Sequence, residues 1–138
     1  MIYYQQLPPE ADPPNVKRLK PFRAVVVIEE SVSPFWQEKV SKWLVDSGCY
    51  YMMAWGTECS SWHDSVDFVS ILEELSEEVN SNEPVAMTSW HEGEPLKEVF
   101  SFSKNLARHP DIEIKNTLIV HISNKNQEND LLTLYENA

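Results

Sequence analysis

The sequence predicts an α/β fold: a three-layer sandwich with a mostly parallel sheet of four strands or slightly more, Rossmann-like or flavodoxin-like. Three observations predict it. Short apolar runs rich in Val, Ile, Met and Tyr recur along the chain. Each is followed by a stretch with apolar residues at helical spacing. The connections are short, and a strand–helix–strand order with short connections leads to parallel pairing with helices on both faces. A chain of 138 residues, 42% of them hydrophobic, is long enough to bury such a core without disulfides or metals.

The first 21 residues hold five of the nine prolines. Proline fixes φ and removes a backbone donor, so residues 1–21 are expected to form an extended arm or loose tail. Tyr3, Tyr4 and Leu7 are available to dock it. The α/β domain is expected over residues 22–138. Its first strand is "FRAVVVIEE", a continuous β-branched run of the kind buried on both faces. In "SPFWQEKVSKWLVDSG", Ser33 suits an N-cap and Pro34 the first helical position. Trp36, Val40, Trp43 and Leu44 share one face, and Gly48 suits the left-handed stop. "YYMMAW" is the second strand.

"SSWHDSVDFVSILEELSEEVN" reads as the second helix. Ser61 and Asp64 are spaced as in a capping box. Trp62, Val66, Val69, Leu72 and Leu75 are expected to be buried. Glu73, Glu74, Glu77 and Glu78 make an acidic outer face. "PVAMTSW" is the third strand. "EPLKEVFSFSKNLARHP" is the third helix, with Leu96, Val99, Phe100, Ser103 and Leu106 inward and Pro110 as its stop. "TLIVHIS" is the fourth strand, and "QENDLLTLYEN" a short final helix.

Eleven basic against 22 acidic residues give a net charge of −11. That charge repels phosphate backbones and anionic lipid, so neither a nucleic-acid nor a membrane partner is expected. It suits a basic protein partner, and it equally serves solubility alone. No apolar run reaches the ~18 residues of a membrane span, and the N-terminus lacks a signal pattern, so a cytoplasmic location is expected. Cys49 and Cys59 flank the second strand. Six extended residues span about 20 Å, whereas a disulfide needs Cα atoms within ~7 Å, so both are expected as free thiols.

Ser-Trp-His-acid occurs twice, in "WGTECSSWHDSVD" and in "SWHEGEPLKEVF". Both lie where a strand ends and a helix begins, the edge at which open parallel sheets bind ligands. Candidate ligand-binding residues there are Glu58, Trp62, Asp64, Trp90, Glu92, Glu94 and His121. Glu29 and Glu30 end the first strand on the same side. Helix entrances built from capping and packing residues explain the repeat equally well. His63 and His91 with a carboxylate are a candidate metal pair, although no H-x-x-x-H or C-x-x-C spacing accompanies them. Cys59 is a candidate nucleophile, since a helix N-terminus lowers a thiol pKa, with His63 or His91 as base. Glu58 and Asp64 oppose that effect. No G-x-G-x-x-G is present, so a dinucleotide is not expected, and no cofactor is implied.

The strings "MAWGTECSSWHDSVD", "TSWHEGEPLKEVFSFSKNLARHPD" and "TLIVHIS" resemble a family of small bacterial proteins known only as a domain of unknown function. The similarity covers residues 22–123. It implies a bacterial cytoplasmic protein and carries no activity. The expectation is therefore a non-enzymatic acidic protein-binding module, immunity or regulatory in kind. The alternative is a small enzyme using the His/Cys/carboxylate rim, for instance in metal-assisted hydrolysis. Convergence of Cys59, His63 and His91 in a concave pocket favours the enzyme; dispersed or packed side chains favour the binder.

Overall fold

The structure, a computed structural model, describes residues 1–75 and 84–138. It contains β1 (Ile2–Gln6), β2 (Phe22–Ile28), α1 (Pro34–Ser47), β3 (Cys49–Gly56), α2 (Cys59–Glu74), β4 (Met87–Trp90), α3 (Leu96–Asn105), β5 (Asn116–Ile122) and α4 (Glu128–Glu136). The five strands form one sheet in the order β1-β5-β2-β3-β4, and every pairing is parallel. One core cluster packs α1 and α2 on one face of the sheet. The other packs α3 and α4 on the opposite face. The three-layer α/β sandwich is therefore present, with one strand more than the four read from the sequence.

The extra strand corrects the expectation of a loose arm. "IYYQQ" precedes the first proline and carries good strand formers, so it pairs with β5 in register from Ile2 with Thr117 to Gln6 with His121. The proline-rich stretch that follows is also held in place. The indole N–H of Trp36 donates to the Ala11 carbonyl (2.8 Å), and that of Trp43 to the Pro14 carbonyl (2.6 Å). Leu7, Val16 and Leu19 are buried.

β2 and β5 are central, and Val25–Ile28 and Leu118–Val120 are at most 1% exposed. Alternation along β2 sends Ala24, Val26 and Ile28 to the α1/α2 face, and Val25 and Val27 to the α3/α4 face. Ser33 caps α1 by accepting from the Trp36 N–H (3.2 Å), and Gly48 ends it at φ 98°. A side chain at Gly48 would meet both that left-handed φ and the Lys20 side chain.

The later helices depart from expectation. α2 begins at Cys59, with Glu58 as a left-handed N-cap (φ 54°) that makes no side-chain cap bond. The amides of Ser61 and Trp62 already donate to the Glu58 carbonyl, so Ser61 and Asp64 lie inside the helix and form no capping box. Leu72 and Leu75 are exposed, not buried, and so is Leu106. α3 starts after Pro95, its N-cap. β4 is shorter than expected and begins at Met87. Glu77 and Glu78 lie outside the described residues.

Candidate functional site

The carboxyl ends of the strands collect most of the candidate residues, but on two different faces. Ala54 pairs with Trp90, and the His91 N–H donates to the Ala54 carbonyl (2.9 Å), so β-like alternation continues one residue past β4. Trp90 therefore faces the α2 side and His91 the α3 side. The contacts agree. Trp90 meets the His63 ring at 4.6 Å between centroids, and His91 meets the edge of Phe102 at 5.0 Å. The two histidines expected as a metal pair thus share one end of the sheet but not one face. Among the described residues, no group of three or more His, Cys, Asp or Glu side chains is placed to hold a metal ion.

On the α2 side, helical geometry turns Trp62 inward, where it packs edge-on against Trp36 at 6.3 Å. His63 lies on the flank, with Nδ1 3.0 Å from Asp64 Oδ1. Cys59 is buried in the core between α1, α2 and the sheet, away from the His91 face. Glu58 is exposed and accepts from Ser31 Oγ (3.3 Å). Cys49 is also free and buried, and desolvation pushes its thiol up to about 12. That thiol is no nucleophile near neutral pH.

The α3 side holds two hydrogen-bonded networks. His91 Nε2 is 2.9 Å from Ser89 Oγ, and its Nδ1 is 2.8 Å from Glu94 Oε2. The Glu94 carbonyl accepts from Trp55 Nε1 (2.6 Å), which fixes the loop after β4. Glu92 is exposed on that loop. Three strands away, His121 is fully buried. Its Nδ1 lies 2.7 Å from the Tyr4 hydroxyl, which also accepts from the Gln127 N–H (3.0 Å). Its Nε2 is 3.2 Å from Glu29 Oε2, at angles that miss those of a good hydrogen bond, so this buried nitrogen has no hydrogen-bond partner among the described residues. Burial raises the Tyr4 phenol pKa, opposed by the Gln127 amide and reinforced by Glu128 and Glu29. His121 thus ties β1, β2 and the start of α4 together.

The crevice between β2 and β5, where the sheet changes winding direction, is the usual ligand position in such folds. Here it is bridged. The Glu29 N–H donates to the Ile122 carbonyl (3.1 Å), and the Glu30 carboxylate accepts from the Asn124 N–H (3.1 Å) and Nδ2 (3.0 Å). Two carboxylates in that position repel a phosphate. A cavity of about 200 Å³ lies at the opposite end of the sheet, lined by Lys20, Gly48, Cys49, Tyr50 and Ala86 among others, and none of the candidate rim residues touches it.

Composition and spacing assign no site role to Ser89 or Trp55. The signal for Ser89 was Ser-x-His on a strand, where residues two apart share a face. No sequence signal marks Tyr4 as a partner of His121, because that pairing depends on β1, which lies beside the proline cluster.

A second feature is a surface. Along α2, Trp62, Val66 and Val69 face inward, yet Phe68, Ile71, Leu72 and Leu75 are exposed. At 100° per residue, Phe68, Ile71 and Leu75 form a stripe opposite the buried one. Asp64 and Asp67 lie in and beside that stripe, and residues 59–75 contain no Lys or Arg.

Compared with known proteins, the chain matches a family model over residues 2–138. It belongs to that family, described as a domain of unknown function (DUF7684). The comparisons with curated proteins and with solved structures gave no match. Among the described residues, no helix is long and apolar enough to cross a membrane.

Proposed function

From membership of a family whose description carries no activity, we propose that this chain is a protein-binding module that docks a basic partner on the outer face of α2. We also propose a bacterial, cytoplasmic setting and an immunity or regulatory role. The observation that carries the binding reading is the outward stripe of Phe68, Ile71, Leu72 and Leu75, which are 41–73% exposed. A helix apolar on both sides is ordinarily covered on both. Contiguous exposed apolar surface rimmed by charge is the usual composition of a docking site. Among the described residues of α2, the charged side chains on this rim are Asp64, Asp67 and Glu74, all acidic, on a chain of net charge −11. A second copy of the chain brings the same negative charge, so the occupant that fits is a segment with apolar anchors and flanking Lys or Arg. The dispersal of Cys59, His63 and His91 between a core and two faces supports the same reading.

The test uses two synthetic amphipathic helical peptides of equal hydrophobicity, one built on Leu and Lys and one on Leu and Glu. Binding is followed by calorimetry at low and high salt. The Leu/Lys peptide is expected to bind with an affinity that falls as salt rises, and the Leu/Glu peptide is expected not to bind. Replacing Phe68, Ile71, Leu72 and Leu75 together by Ser is expected to weaken binding at least ~10-fold, as loss of interface anchors does. Equal binding by that variant removes the stripe from consideration. A concentration-dependent dimer in sedimentation, abolished by the same variant, replaces the basic partner with a second copy.

A further inference from the structure

We propose that Ser89, His91 and Glu94 form a nucleophilic site that hydrolyses neutral or cationic acyl esters. This inference is independent of the α2 surface. Ser89 Oγ lies 2.9 Å from His91 Nε2, and His91 Nδ1 lies 2.8 Å from Glu94 Oε2. These are the distances and the order of a nucleophile, a base and the group that orients the base. One tautomer satisfies both bonds. An ionised Glu94 only accepts, so Nδ1 carries the proton and donates it. Nε2 then keeps its lone pair and accepts the Ser89 O–H.

The site is held on both sides. The imidazole is 7% exposed, lies against Phe102, and follows a backbone bond from its own N–H to the Ala54 carbonyl. The loop carrying Glu94 is fixed by Trp55 Nε1. Ser89 is only half-buried, on a strand that is the sheet's edge among the described residues. Gly93 (φ 74°) sits on the exposed loop between His91 and Glu94, and apart from its two chain neighbours no heavy atom lies within 4 Å of where its Cβ would stand. Trp55 and Phe102 supply an apolar wall. Exposed Glu92 and Glu94 disfavour anionic substrates, which sets the charge class.

The chemistry balances with water as the only co-reactant. Ser89 Oγ bonds to the acyl carbon as its proton passes to His91 Nε2. The bond from that carbon to the leaving oxygen breaks, and His91 returns the proton to give the alcohol. Water, deprotonated by His91, then attacks the acyl-serine. The bond from the acyl carbon to Ser89 Oγ breaks, the acyl group leaves as the acid, and His91 returns the proton to Ser89 Oγ. Ser89 and His91 are the catalytic residues, and Glu94 is a positioning residue.

The test treats the wild-type protein with diisopropyl fluorophosphate and follows intact mass, peptide mapping and p-nitrophenyl butyrate hydrolysis. Expected is one adduct, on Ser89, and ester turnover that Ser89→Ala removes. His91→Gln is expected to slow both by at least ~100-fold, as for loss of a general base. Glu94→Gln is expected to lower kcat with KM unchanged, which a merely structural contact would not do. Circular dichroism confirms that each variant is folded. Absence of any adduct on the wild type, an adduct on another residue, or turnover unchanged in Ser89→Ala overturns the proposal, and the wild-type measurement does so without relying on a variant.

Discussion

The segments Trp62-His63-Asp64 and Trp90-His91-Glu92 read almost alike, yet the structure treats them in opposite ways. In the first, the tryptophan is 1% exposed and the histidine lies on a flank. In the second, the tryptophan is 48% exposed and the histidine 7%. The cause is period. On α2, successive side chains turn by about 100°, so an inward Trp62 leaves His63 at the side and Asp64 outward. At the end of β4, successive side chains alternate, so Trp90 and His91 go to opposite faces. Among the described residues β4 is also an edge strand, so no further strand covers Trp90. A short string therefore fixes residue types but not directions. The two segments nonetheless meet, since His63 packs on Trp90.

The largest expected effect breaks or upholds that inversion directly. Trp62→Ala removes a fully buried indole that packs on Trp36 and should cost about 3–5 kcal/mol, as for buried aromatic truncations. Trp90→Ala, at the exposed edge, should cost less than ~1 kcal/mol. Urea unfolding of both variants measures this. Comparable losses would mean that the two tryptophans occupy similar environments, and the comparison would fail.

A middle-sized effect concerns the histidines, with the order reversed between segments. His91→Ala leaves a buried site without two hydrogen bonds and a ring contact, and should cost about 2–3 kcal/mol. His63→Ala loses one contact with an exposed carboxylate and part of a ring contact, and should cost about 1 kcal/mol or less. Equal values would place both rings in equally packed sites.

What the sequence made legible follows the same physical line. The runs "VVVI" and "LIV" are apolar at every position, so they declare central strands whichever face each residue takes. Ser33 and Gly48 mark α1 because both ends use side-chain chemistry visible in the residue type. β1 was not legible because an edge strand needs only one partner and half-burial, and its five residues stand beside a proline cluster. The start of α2 was hidden because Glu58 takes a left-handed conformation more usual for Gly or Asn and makes no side-chain cap. The outward stripe on α2 misled for another reason. Apolar residues at 62, 66, 69, 72 and 75 and at 68, 71 and 75 form two overlapping helical patterns, and period alone does not say which faces the sheet. The Ser89–His91–Glu94 contact needed both the strand period and the path of the following loop. Only the first of these can be read from spacing.

The smallest effect separates the acids. Asp64 is 82% exposed and bonds His63 from the surface, whereas Glu94, 49% exposed, bonds a buried histidine. An exposed pair is screened by water and salt, so Asp64→Asn should shift stability by less than ~0.5 kcal/mol. Glu94→Gln keeps the size of the side chain and an acceptor oxygen. It replaces a charge-assisted bond with a neutral one, and it should cost about 0.5–1.5 kcal/mol. Thermal melts of both variants in low and high salt resolve the difference. The Asp64 contribution should vanish in high salt, while most of the Glu94 contribution should persist, because its partner sits where salt does not reach. If both effects disappear together in high salt, Glu94 is only another surface carboxylate, and the second segment holds its histidine no more firmly than the first.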